Sequence, residues 1–190
     1  VTDTDGGSAS VTTQQVVYAA DGGFVVGAGP FVSPAGAYNA SPSTTGRVVL
    51  SFLAQYPRRS ATVPAGSVQF TLLSPRFSFD SRGLEWLVIN GTDARLVGSG
   101  VVNGRGSYGF LLAVSDQRSV EKVRLKVWDK ATGAVVYDTQ PGAADNAAPS
   151  LTMQGAAVVF DSALLGRSAE GDADEVFGIN PRLYLPQVEQ

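Results

Sequence analysis

Residues 121–138 read EKVRLKVWDKATGAVVYD, and this stretch decides the fold class. From residue 122 to 127 cationic and apolar side chains alternate, which is the period of a β-strand with one dry and one wet face. Residues 129–133, DKATG, end in a glycine that can take a positive φ, so they predict a short turn into a second strand. The first strand is expected to bury Val123, Leu125 and Val127 and to expose Lys122, Arg124 and Lys126.

The same period extends outward from this hairpin. Residues 107–115, SYGFLLAVS, and residues 84–90, LEWLVIN, alternate in the same way, with glycine-rich turns between them. Trp86 has the phase of Leu84 and Val88, which predicts that Trp86 belongs to the core. The sequence has no helical period of useful length. It therefore predicts an all-β protein, an antiparallel β-sandwich of Ig-like or jelly-roll-like type with two mostly antiparallel sheets and little or no helix.

The composition fits many short strands. The 22 glycines and 10 prolines act as turn punctuation, and 44% hydrophobic against 16% charged residues allows a packed core. Residues 21–46 are rich in glycine and contain Pro30, Pro34 and Pro42. We expect much of this segment to be irregular.

The chain contains neither cysteine nor histidine. Disulfides, Ser-His-Asp triads, Cys-His pairs and histidine-ligated metal sites are therefore excluded. A glycosidase would need two carboxylates about 5–10 Å apart in a cleft, and nothing in the sequence pairs Glu85 with Glu121, which are its candidates. The sequence predicts a protein that is not an enzyme and has no catalytic residues.

Charge and hydropathy exclude two classes of partner. The 14 basic and 17 acidic residues give a net charge of −3, and no basic run is present to bind phosphates, so we expect no nucleic acid. No uninterrupted apolar run approaches the roughly 20 residues that span a bilayer, so we expect no membrane span.

Several phrases of the sequence resemble one known type of domain. They are SPAGAY at 33–38, Phe70, FSF at 77–79, WLV at 86–88, GSG at 98–100, NG at 103–104, YGF at 108–110 and WDKATGAVVYD at 128–138. Together they resemble the C-terminal all-β accessory domain that follows PKD, HYR or cadherin-like repeats in secreted bacterial surface proteins. The resemblance covers residues 22–160, and WDKATGAVVYD is its most specific part. It implies an all-β architecture and a secreted or cell-surface location, and it brings no assigned catalytic residue.

On this interpretation the chain divides into three segments. Residues 1–20 resemble the closing strand of an Ig-like repeat, so we expect a closing strand or linker from an upstream repeat. Residues 21–161 are predicted to form the β-sandwich domain, and residues 162–190 an acidic loop and a C-terminal tail.

Four aspartates at strand ends or in loops are candidate metal ligands, because carboxylate oxygens suit calcium: Asp116, Asp129, Asp138 and Asp145. The competing interpretation is that each aspartate caps its own turn, and Asp129 ahead of KATG fits that interpretation well. We expect no cofactor, with calcium as the alternative.

Trp128 has the phase of Lys122, Arg124 and Lys126, so it should lie beside three cations on the outer face. There the indole could stack a sugar or make cation–π contacts, unless a loop or neighbouring domain covers it. The preferred function is a non-catalytic structural or adhesion-type module of a secreted or surface-attached bacterial protein. Its expected partners are neighbouring domains of the same polypeptide, then extracellular polysaccharide or protein. The alternative is a carbohydrate- or other ligand-binding module that uses the Trp128 face.

Overall fold

The computed structural model describes residues 23–57, 61–117 and 120–162. Within these ranges the secondary structure is β-strand, without a helix. The ten strands are β1 Phe24–Ser33, β2 Gly46–Gln55, β3 Ala65–Leu72, β4 Phe77–Asn90, β5 Asp93–Val102, β6 Arg105–Asp116, β7 Glu121–Asp129, β8 Val135–Asp138, β9 Leu151–Met153 and β10 Ala156–Phe160. The segments assigned to an upstream repeat, residues 1–20, and to the acidic tail after residue 162 lie outside the described residues.

All ten strands belong to one antiparallel sheet in the order β10-β1-β2-β3-β4-β5-β6-β7-β8, with β9 also paired to β7. Consecutive strands from β1 to β8 are neighbours, which is the simplest result of joining antiparallel strands by short turns. The predicted all-β, antiparallel, sandwich-like fold is confirmed. The strands form a single hydrogen-bonded sheet, where the sequence predicted two.

The sheet curls until its ends meet. β9 pairs with β7 while β10 pairs with β1, so residues 151–160 join the two ends. A further bridge connects Tyr38, after β1, to Tyr137 in β8. The edge of β10 faces the β6–β7 end, where the Val159 amide donates to the Asp116 carboxylate at 3.4 Å. Within the described residues the curl stays open, because β10 and β8, the two ends of the strand order, are not paired with each other.

The core fills the inside of this curl. Its aromatic centre joins strands that are not neighbours in the sheet, since the Phe70 ring of β3 lies 5.3 Å from Tyr137 of β8 and the Phe79 ring of β4 lies 5.3 Å from Phe110 of β6. On β7, Val123, Leu125 and Val127 are fully buried, as the sequence predicted. Burying each such side chain stabilises the fold by about 1.5–3 kcal/mol.

The expectation that much of residues 21–46 is irregular holds for residues 34–45, which form loop and turns, but it is wrong for the first strand. β1 runs for ten residues, and its glycines face inward where neighbouring strands come close. A Cβ on Gly27 would collide with the Phe52 ring, and one on Gly29 would lie 2.8 Å from the Gln154 carbonyl oxygen. Glycine is therefore required here by close packing, and it does not interrupt the strand.

β4 corrects the placement of Trp86. The register of β4 against β5 shifts between Leu84 and Trp86, so Leu84 and Leu87 face the core while Trp86 faces outward. Trp86 packs, partly buried, on a small outer cluster with Val97 and Leu111. A β-bulge breaks the two-residue period, and a strict alternation pattern cannot reveal it.

Candidate functional site

β7 presents the predicted cations on its outer face, opposite the core. Their surroundings differ from the wet face that the alternation predicts. Arg124 has 0% of its surface exposed, and Lys126 is only partly exposed. The reason is the segment of residues 139–150 between β8 and β9, named here the covering loop, which lies over β5–β7.

Two arginines fasten the covering loop through its backbone. Arg124 donates from Nη2 to the Ala143 carbonyl at 2.9 Å and from Nη1 to the Ala144 carbonyl. Arg95 on β5 donates from Nη1 to the Asp145 carbonyl at 2.6 Å and from Nη2 to the Ala147 carbonyl at 3.1 Å. Loop carbonyls lack a strand partner, and the planar guanidinium fork supplies several donors at once.

Carboxylates complete this arrangement. The Arg124 guanidinium lies 3.3 Å from the Asp138 carboxylate, and both side chains are buried. Lys126 Nζ lies 2.6 Å from Asp145 Oδ1 at the surface of the covering loop. The buried pair is important because removing either partner would leave a charge without compensation in a dry environment. Sequence reasoning placed Arg124 and Asp138 in separate sites, whereas the structure makes them one contact.

Trp128 is partly buried on the outer face. Its indole lies over Gly109 of β6, where a Cβ would collide with the ring. Lys126 Nζ is 6.0 Å from the ring centroid, at the limit of a cation–π contact. Of the predicted ligand-binding residues, Arg124 and Lys126 therefore bind the covering loop, while Trp128 and Lys122 keep part of their surface exposed.

The predicted calcium ligands lie in different places. Asp129 accepts hydrogen bonds from the Ala131 and Thr132 amides, both at 2.9 Å, and the Thr132 bond is the main reason that the pKa of Asp129 is lowered. It thus caps its own turn, which Gly133 completes with a φ of 73°. Asp116 lies at the opposite end of the β6–β7 pair from Asp129.

Among the described residues, no group of three or more acidic, histidine or cysteine side chains could hold a metal ion. Glu85 and Glu121 are likewise far apart. Glu85 pairs with Lys130, just beyond β7, at 3.1 Å, whereas Glu121 begins that strand. The nine residues of β7 span roughly 26 Å at the usual rise. Burial, then the neighbouring Asp116, raises the pKa of Glu121.

A cleft of about 400 Å³, which the sequence did not predict, lies at the end of the β6–β7 pair where Tyr108 faces Asp129. The loop after β1, the β5–β6 turn and the β7–β8 hairpin meet there. Its lining is aromatic, aliphatic and amide in character: Tyr38, Asn39, Ala40, Phe77, Val102, Asn103, Tyr108, Ala134, Val135 and Val136. The turn signal Asn103-Gly104 marked one wall, but the sequence gives no sign that three turns converge.

Comparison with protein-family models, with curated proteins and with solved structures found no match for the chain. The described residues form strands, turns and loops, and they contain no apolar helix of membrane-spanning length.

Proposed function

We propose that the chain is a non-catalytic structural or adhesion-type module of a secreted or surface-attached bacterial protein. The observation that supports this most directly is the use of the β7 cations. Arg124 is fully buried between Asp138 and the covering loop, and Lys126 binds Asp145. These side chains stabilise the module's own fold, which is what a scaffold requires.

The setting of the module rests on the resemblance of WDKATGAVVYD and its companion phrases. It suggests a position after PKD, HYR or cadherin-like repeats, with neighbouring domains of the same polypeptide as the first partners. The outer face of β10–β1–β2 supports such a contact. Val26, Leu53 and Val158 are adjacent across three strands there, and each is exposed by 37–46%.

The proposal is tested by asking both whether the chain binds extracellular polymers and whether it cleaves them. The 190-residue chain, immobilised on beads, should retain extracellular polysaccharides or matrix proteins and leave them chemically unchanged on prolonged incubation. Release of oligosaccharides or peptides that the Glu85→Gln and Glu121→Gln variants abolish would overturn the non-catalytic assignment.

The second candidate, a carbohydrate- or other ligand-binding module that uses the Trp128 face, is favoured by one observation. The Trp128 ring is partly exposed, and Lys122, which lies on the same outer face about 20 Å along β7, is also partly exposed and makes no described ion pair. If this face binds the ligand, Trp128→Phe and Lys122→Ala should each weaken retention on the beads.

A further inference from the structure

The cleft between the loop after β1, the β5–β6 turn and the β7–β8 hairpin is neutral. None of its lining residues carries a charge. A ligand with a net charge would lose hydration there without finding a counter-charge, which is unfavourable. The cleft therefore selects an uncharged ligand.

Its polar groups are amides with unused hydrogen-bonding capacity. Asn103 is fixed in position by two hydrogen bonds to the backbone of Ser78. Its side-chain Oδ1 accepts from the Ser78 backbone N–H at 2.9 Å, and its backbone N–H donates to the Ser78 carbonyl at 2.8 Å. Its Nδ2 donors have no partner among the described residues. Asn39 is fixed by donation from Nδ2 to the Val135 carbonyl at 2.8 Å, which leaves its Oδ1 as an unused acceptor in the described structure. One wall thus offers donors and another offers an acceptor.

The aromatic groups of the cleft are also fixed and incompletely used. The Tyr38 ring packs 5.1 Å from the buried Phe77 ring, and the Tyr108 ring lies against Gly106, where a Cβ would be 2.6 Å from it. Both tyrosines are partly buried against the core. Their hydroxyl groups make no hydrogen bond to any described residue, although a buried or half-buried phenol usually has one.

We propose that this cleft binds a neutral carbohydrate, with one or two sugar units of a longer chain seated between Tyr38 and Tyr108. A sugar has apolar C–H faces that pack on aromatic rings, and it has adjacent hydroxyls that both donate and accept. Fixed phenol and amide groups match those hydroxyls. A volume of about 400 Å³ suits a ligand of this size. The lining of the cleft alone supports this ligand, whether or not the chain acts as the structural module proposed above.

The test is isothermal titration of the 190-residue chain with a panel of neutral oligosaccharides: cellohexaose, maltoheptaose, xylohexaose, mannohexaose and chitohexaose. The informative variant is Tyr38→Phe/Tyr108→Phe, since it removes only the two unpartnered hydroxyls and keeps both rings. Tyr108→Ala removes one aromatic wall, and its circular dichroism spectrum reports whether the fold survives. Val26→Thr, on the exposed outer face of β1, is the control, and Trp128→Phe tests the alternative site on the outer face of β7.

We expect at least one oligosaccharide to bind. The double phenylalanine variant should weaken that binding by about fivefold to a hundredfold, as expected for two lost hydrogen bonds between neutral groups, and Val26→Thr should leave it unchanged. Three outcomes would overturn the proposal. They are binding of none of the panel at millimolar concentration, binding that only Trp128→Phe weakens, and binding of neutral peptides in the absence of any oligosaccharide binding.

Discussion

The outer faces of β5–β7 and of β10–β1–β2 belong to one sheet, and the covering loop crosses only the first. The β5–β7 face presents Arg95 and Arg124, whose donors bind carbonyl groups of residues 143–147. The β10–β1–β2 face presents Val26, Leu53 and Val158, all exposed. The described part of the chain places no comparable segment over these three side chains.

The difference shows what holds an irregular segment on a sheet. A loop without a ladder has carbonyl groups that need donors, and two arginine forks supply them, one from the fully buried Arg124 and one from the partly exposed Arg95. Valine and leucine offer no donor, so a bare apolar face can attract only a partner that brings its own apolar surface. The first face is therefore covered by the chain itself, whereas the described residues leave the second face open to contact.

The largest effect should come from breaking the anchor of the covering loop. Arg124→Ala should lower the free energy of unfolding by about 3–5 kcal/mol, because Asp138 would remain buried without its partner. Urea denaturation measures the loss. Lys122→Ala on the same strand face is the matched control and should change stability by no more than about 0.5 kcal/mol. Equal effects of the two substitutions would mean that the loop is not anchored by Arg124.

Both outer faces cover the same core, and the free energy of unfolding should depend on pH through a buried residue of that core, Tyr137. Burial raises the pKa of Tyr137 to about 12, and its hydroxyl donates to Ser33 Oγ at 3.0 Å, joining β8 to β1. Since the folded pKa lies above that of the unfolded chain, this stability is complete below pH 10 and is lost as the pH rises to about 12. The loss should be roughly 3 kcal/mol.

Urea denaturation at several pH values between 10 and 12 measures this slope. Tyr137→Phe should flatten it, because the variant has no phenol to ionise at that position. A slope that is the same in both proteins would show that Tyr137 is not the responsible group.

Adjacent residues on β4 test where the covered face ends and the core begins. Leu87→Ala, on the core side, should cost about 2–5 kcal/mol. Trp86→Ala should cost less than the 3–5 kcal/mol typical of a fully buried aromatic, about 1–3 kcal/mol, because its ring is only partly buried on the outer cluster. A loss of more than ~4 kcal/mol for Trp86→Ala would place this ring in the main core after all.

The smallest effect belongs to the bare face. Val26→Thr should change the free energy of unfolding by no more than about 0.5 kcal/mol, since that side chain is exposed. The same change at the buried Val123 should cost about 1–3 kcal/mol, because the hydroxyl would lack a partner. A large loss at Val26 in the isolated chain would indicate that something already covers this face.

The sequence predicted the parts of the fold that depend on local period and turn chemistry. The alternation in residues 122–127 assigned Val123, Leu125 and Val127 to the core, and the DKATG turn has Asp129 as its cap and Gly133 at positive φ. These features depend on neighbours within a few residues, so they can be predicted from the sequence alone.

The remaining features depend on contacts between distant segments. Arg124 has the phase of an exposed cation, and only the position of residues 143–144 makes it a buried anchor. In the sequence, Gly27 indicates an interrupted strand, and only the contact with the Phe52 ring in the structure explains why glycine is needed there. The neutral cleft likewise requires three turns to meet, which no periodicity encodes.

Hydrogen exchange of the covering loop tests the central claim most directly, namely that arginine forks hold this loop on the β5–β7 face. In the unmodified chain the amides of Ala143 and Ala147, which bond to the Gln140 and Ala144 carbonyls, should be protected. Arg124→Lys keeps the charge and loses the fork. It should accelerate exchange at these amides by at least about tenfold, or ~1.4 kcal/mol of local opening free energy, and should change the core amide of Leu112 much less. Unchanged protection at Ala143 and Ala147 would contradict the account.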